Sequence, residues 1–87
     1  MLFHISYEFL PQDRDSTQKR FKETGALPPD GVVMKGRWHS VAGHTGYLLA
    51  ESSDAVAICK WMQEWTDLLV FEVTPVVTDE EVAQVIG

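Results

Sequence analysis

The stretch KGRWHSVAGHTGYLLAE, Lys35 to Glu51, decides the architecture. Two β-forming runs flank the turn sequence AGHTG, which is the signature of a β-hairpin. The first run extends from about Val32 to Val41 and the second covers GYLLAE. Strict period-two alternation in the first run places Lys35, Arg37 and His39 on one face and Met34 and Trp38 on the other.

Working outward, residues 2–9 (LFHISYEF) alternate in the same way, with Phe3, Ile5, Tyr7 and Phe9 opposite His4, Ser6 and Glu8. Pro11 ends this strand. QDRDSTQKRFKETG then reads as a helix with acidic residues near its start and Gly25 as its C-terminal glycine. Its inward stripe is poor: Phe21 is the one large apolar residue, accompanied by Arg14, Thr17 and Gln18. A helix of this kind is expected to leave room beneath it. The loop ALPPDG leads into the hairpin.

After the hairpin, DAVAICKWMQEW reads as a second helix. Ala55, Ile58, Cys59, Trp61, Met62 and Trp65 form its apolar stripe, with Cys59 expected as a small buried hydrophobe. TDLLVFEVTPVV is a fourth strand, confined to a sheet edge by Pro75. Asp79, Glu80 and Glu81 open a terminal helix. The resulting order is β-α-β-β-α-β plus a helix, an α+β ferredoxin-like arrangement with helices on one sheet face. Residues 1–87 are expected to form a single domain.

Composition narrows the function classes. A chain of 87 residues with 45% hydrophobic content is globular rather than disordered. At 9.8 kDa it buries roughly 64% of its unfolded surface, a thin core that a homodimer would supplement. A net charge of −6 argues against nucleic acid and against anionic membrane surfaces as partners. Cys59 is the lone cysteine, so no intrachain disulfide and no cysteine-based zinc site is expected. MLFHISYEFL has no basic n-region or long apolar run, so a cytoplasmic protein without a secretory signal is the expectation.

Alternation also sorts the strands into two faces. Phe3, Ile5, Tyr7, Phe9, Met34, Trp38, Leu48, Ala50, Phe71 and Val73 make the helix-covered face. The opposite face carries His4, Arg37, His39, Tyr47 and Glu72 among Val33, Leu49 and Val70. Such a mixed surface suits two sheets packed face to face around a polar pocket, and these five residues are the candidate ligand-binding set. Arg37 offers a planar donor fork for a carboxylate or phenolate, and His39 a titratable partner. The plainer reading is a cross-strand ion network in which Arg37 or Lys35 pairs with Glu51. His39 or His4 beside Glu72 is the candidate general base. A metal site from His4, His39 and Glu72 is not expected, because strand order separates the two histidines by about 10 Å. His44 reads as a solvated turn residue, and no metal or other cofactor is expected. Nucleophile-elbow, P-loop and HExxH motifs are absent from the sequence.

GRWHS (Gly36–Ser40), WTDLLVFEVTPVVTDEEVA (Trp65–Ala83), the opening MLFHISYEF, the loop TGALPPDGV and the helix tryptophans Trp61 and Trp65 together resemble a family of short bacterial proteins. That family is the domain of unknown function 3303. The resemblance spans nearly the whole chain, and it implies the dimeric α/β-barrel fold, in which two ferredoxin-like protomers pack sheet on sheet. That wider group includes cofactor-free monooxygenases, haem-degrading proteins, isomerases and ligand-binding modules. It also implies a bulky apolar residue at the position of His4. The resemblance brings no established activity; the polar face makes a small-molecule binding or sensing module the first expectation, with a cofactor-free monooxygenase or isomerase using a histidine for proton transfer, or a structural or regulatory interaction protein, as the alternatives.

Overall fold

The computed structural model describes residues 1–87. The chain runs β1 (Leu2–Glu8), a short 3-10 turn (Pro11–Asp13), α1 (Arg14–Thr24), β2 (Val33–His39), β3 (Thr45–Glu51), α2 (Ala55–Gln63), β4 (Val70–Val76) and α3 (Asp79–Ile86). The four strands form one sheet in the order β2-β3-β1-β4, and every neighbouring pair is antiparallel. This is the ferredoxin-like α+β arrangement expected from the element order. Pro75 lies on edge strand β4 opposite Phe3, where its missing N–H disrupts least.

The helix ends follow from their capping residues. The Asp54 carboxylate accepts from the Val56 N–H at 2.9 Å and starts α2. Thr78 and Glu81 form a reciprocal capping box at the start of α3. Gly25 closes α1 with φ 72°, and its N–H donates to the Phe21 carbonyl. Ala26 follows at φ 46°, a left-handed conformation that a residue with Cβ adopts only under restraint.

The main core is built between the sheet and α2. Phe3, Ile5, Leu48 and Ala50 from the strands meet Ile58, Trp61 and Met62 from the helix. Burial of each large side chain contributes about 1.5–3 kcal/mol relative to exposure. Phe9, Trp65 and Leu69 form a smaller adjoining cluster. Helix α1 contributes very differently, since Thr17 is its one buried residue. The polar stripe read from the sequence thus has its physical consequence: α1 roofs the sheet without filling the space under it.

One irregularity reassigns a whole strand. Met34 pairs with Ala50 but Gly36 pairs with Leu49, so Lys35 is an extra residue in a β-bulge. Because side chains alternate with period two, one inserted residue exchanges the faces of everything beyond it. Arg37 therefore lies opposite Leu48, and His39 opposite Gly46, on the helix-covered face. Trp38 lies opposite Tyr47 on the other face and is 57% exposed. The expectation that Trp38 joins the core and that Arg37 and His39 accompany Lys35 is corrected by this bulge. Lys35 alone pairs with Glu51, at 3.7 Å.

Two further corrections are local. Cys59 is exposed, because it sits at the margin of the α2 stripe while Ile58, Trp61 and Met62 take the inward positions. Every residue from Val77 to Gly87 is exposed, so α3 covers nothing in its own chain. No helix is long and apolar enough to cross a membrane.

Candidate functional site

A cavity of about 310 Å³ lies beneath α1, between that helix, the sheet and α2. That volume falls within the range of small-molecule sites. Its wall is mainly aromatic and aliphatic: Phe9 just after β1, Phe71 from β4, Phe21 from α1, and Trp61, Met62 and Trp65 from α2 and the segment just after it. The polar groups in the wall are Tyr7, Thr17, Gln18, Arg37 and His39.

Two arginines hold the roof. Arg20 reaches from α1 to Asp67 with two parallel bonds of 2.7 Å, and donates again to the Glu64 carbonyl at 2.9 Å. Its guanidinium also lies 5.4 Å from the centre of the Trp65 ring. From the other side, Arg37 donates to the carbonyls of Ala26 at 2.9 Å and Gly25 at 3.0 Å. Its guanidinium packs over Phe21 at 4.9 Å. These bonds restrain the left-handed Gly25–Ala26 pair and satisfy carbonyls freed at the end of α1. Arg37 thus clips the end of the helix, and its charge is occupied by that task.

At the mouth, Tyr7 Oη and His39 Nδ1 are 2.7 Å apart. The approach depends on Gly46: a Cβ there would come 2.1 Å from the Tyr7 ring and 2.7 Å from the Trp38 carbonyl oxygen. Burial raises the Tyr7 hydroxyl above its ordinary pKa, with Arg37 opposing part of the shift. Burial lowers His39 below its ordinary 6.5, and the nearby Arg37 charge adds to the lowering. At neutral pH the pair is therefore a phenol and a neutral imidazole. We assign the phenol as donor to Nδ1, which leaves the ring proton on Nε2. The edge of Phe21 stands 5.6 Å from the His39 ring and completes the mouth.

The structure divides the five residues read as one ligand-binding set. Arg37 and His39 line the cavity under the helix. His4, Tyr47 and Glu72 lie on the opposite face, where Tyr47 and Glu72 flank Ser6 in the ladder and the His4 and Tyr47 rings are 5.9 Å apart. The sheet itself separates His39 from His4 and Glu72, so these three cannot converge on one ion within the chain. His44 is exposed in its turn, with its ring 5.5 Å from Phe9. Sequence reasoning assigned no site role to Tyr7, Thr17, Phe21 and the two helix tryptophans. The available signal was Gly36: a glycine inside a strand marks a bulge or a close approach, and a bulge there brings Arg37 and His39 over to Tyr7.

No curated protein matches the chain significantly in sequence. Among solved structures it is similar to Rv0793 from Mycobacterium tuberculosis, with 13% identity and a TM-score of 0.54 over 90% of this chain and 96% of that one. It is also similar to a candidate antibiotic biosynthesis monooxygenase from Deinococcus radiodurans, with 6% identity and a TM-score of 0.50 over 88% and 92% of the two chains. At these identities the likeness concerns the fold, and it agrees with the strand order and helix placement described above. The family model described as Domain of unknown function (DUF3303) matches residues 1–87 in full. The chain belongs to that family.

Proposed function

We propose that this protein binds a small, largely apolar molecule in the cavity beneath α1, acting as a binding or sensing module. The observation that carries the reading is the cavity itself, with aromatic walls, a Tyr7–His39 pair at its mouth and a roof held by two arginine clamps. A pocket of this kind, mostly apolar with a few fixed polar groups, is the usual form of a ligand site. The ligand therefore sits on the helix-covered face, with His4, Tyr47 and Glu72 outside it.

The opposite face serves a second copy of the chain. Val33, Trp38, Tyr47 and Val70 stand exposed together there. The chain exposes 6142 Å², whereas a compact monomer of this mass exposes about 5,200 Å². The excess, roughly 900 Å², is comparable to the ~800 Å² that each partner loses in a standard interface. A homodimer packed sheet on sheet, each protomer formed by residues 1–87, accounts for both features. The single exposed thiol fits a reducing cytoplasm.

A second reading is enzymatic, and one observation favours it: His39 is neutral beside the cavity, and in the tautomer whose Nδ1–H donates to Tyr7 Oη its free Nε2 could take a proton from a bound substrate, as a cofactor-free monooxygenase or isomerase requires. His4, on the far face, does not share this setting.

Tryptophan emission tests the binding reading, because Trp61 and Trp65 line the cavity and Trp38 does not. Titration with a panel of neutral ring compounds should give a saturable change that Trp38→Phe preserves and that Trp61→Phe and Trp65→Phe diminish. No response across the panel, or a response lost with Trp38→Phe, contradicts it.

A further inference from the structure

Thr17 is 7% exposed, and its Oγ1 is a buried side-chain polar atom with no hydrogen-bond partner. A threonine inside a helix ordinarily returns its hydroxyl to the carbonyl three or four residues earlier. Thr24, in the same helix, does so with the Arg20 carbonyl at 2.9 Å. The Thr17 hydroxyl makes no such bond, and Thr17 is among the residues that line the cavity. Leaving a buried hydroxyl unpaired is costly, and such a group signals a partner that arrives from outside the chain.

The other polar groups of the wall are already engaged, except for the exposed Gln18 amide. Tyr7 and His39 bond to each other, and Arg37 is committed to the Gly25 and Ala26 carbonyls and the Phe21 ring. No acidic side chain and no lysine lines the cavity. The space thus offers a free hydroxyl but no free charge.

We propose that Thr17 is the specificity-determining residue of the cavity, its hydroxyl receiving the hydroxyl or carbonyl group of an uncharged, otherwise apolar ligand. The inference rests on the reading that the cavity binds a small molecule, and it adds the chemical class. Phe21, which meets His39, is one helical turn beyond Thr17, so Thr17 lies about 6 Å back from the mouth toward the start of α1. A ligand anchored there enters polar end first and lays its apolar body against Trp61 and Trp65.

The test is a matched pair of probes, 2-naphthol and naphthalene, titrated against wild type, Thr17→Val and Thr17→Ser with tryptophan emission as readout. Val keeps the shape of Thr and removes the hydroxyl, whereas Ser keeps the hydroxyl. Wild type should prefer 2-naphthol by about tenfold, the effect of one net hydrogen bond. Thr17→Ser should retain that preference. Thr17→Val should lose it while binding naphthalene as wild type does, with a melting temperature no lower than wild type. Thr17→Ala gives the same loss of preference should the Val variant fold poorly. A preference that survives removal of the hydroxyl, or equal binding of both probes by wild type, overturns the role of Thr17 and leaves the cavity reading intact. Binding of neither probe overturns the cavity reading, and the role of Thr17 with it.

Discussion

Two glycines on adjacent strands should respond in opposite ways to the same added methyl group. At Gly46, a Cβ would stand 2.1 Å and 2.6 Å from Tyr7 ring atoms and 2.7 Å from the Trp38 carbonyl oxygen. Favourable carbon–carbon contacts lie at roughly 3.5–4.0 Å, so the ring would have to move by more than 1 Å, and the carbonyl belongs to the paired ladder and cannot yield. Overpacking of this kind costs about 1–3 kcal/mol. At Gly36, the added atom meets only the Trp38 indole, at 2.5 Å, and within one protomer that ring is exposed on the sheet face. It can swing away, and alanine suits a strand interior better than glycine by up to ~1 kcal/mol. With a urea m-value near the low end for small domains, about 1 kcal/mol/M, Gly46→Ala should lower the unfolding midpoint by about 1–3 M. Gly36→Ala should change it by less than about 0.5 M. Tyr7 should also lose its bond to His39 in Gly46→Ala and keep it in Gly36→Ala. Equal effects at the two positions, or the reverse order, would refute the face assignment that follows from the bulge.

Other expected outcomes concern the core, the mouth and the sheet face. Trp61, 2% exposed between α2 and the sheet, should cost about 3–5 kcal/mol on replacement by alanine; a near-neutral result in denaturant titrations would mean that α2 is held by other contacts. His39 has a folded-state pKa below its ordinary 6.5, so the unfolded chain binds more protons as pH falls through that value. Its contribution to stability is complete above 6.5 and declines on acidification, by a modest amount because the ring is largely exposed. Unfolding midpoints of wild type and His39→Gln, compared across roughly pH 5 to pH 8, should therefore diverge at the acid end, and parallel profiles would contradict the shift. Leu49→Asp places a charge in the middle of the proposed sheet-to-sheet interface and should convert the dimer to monomer in sedimentation experiments; an unchanged dimer mass would rule out that packing.

Much of the architecture was legible in the residues themselves. Alternation in residues 2–9, the AGHTG turn and Pro75 are enough to give the strand order, because each limits the pairing physically. The hollow under α1 was legible too, since Arg14, Thr17 and Gln18 cannot fill the space that a stripe of leucines would. The site was less so. Counting by twos from Lys35 presumes an unbroken ladder, and a bulge of one residue reverses every assignment beyond it. Trp38, Arg37 and His39 were all misplaced by that single residue. The orphan hydroxyl of Thr17 depends on which carbonyls its rotamer reaches, which no sequence pattern encodes.

The most direct test of the ligand site is amide and indole NMR mapping during titration with 2-naphthol. The account predicts shifts at the Trp61 and Trp65 indole N–H groups and at Tyr7, Thr17, Phe21 and His39, with the opposite sheet face unmoved. Shifts clustered instead around His4, Trp38, Tyr47 and Glu72 would place the ligand on that face and contradict the account.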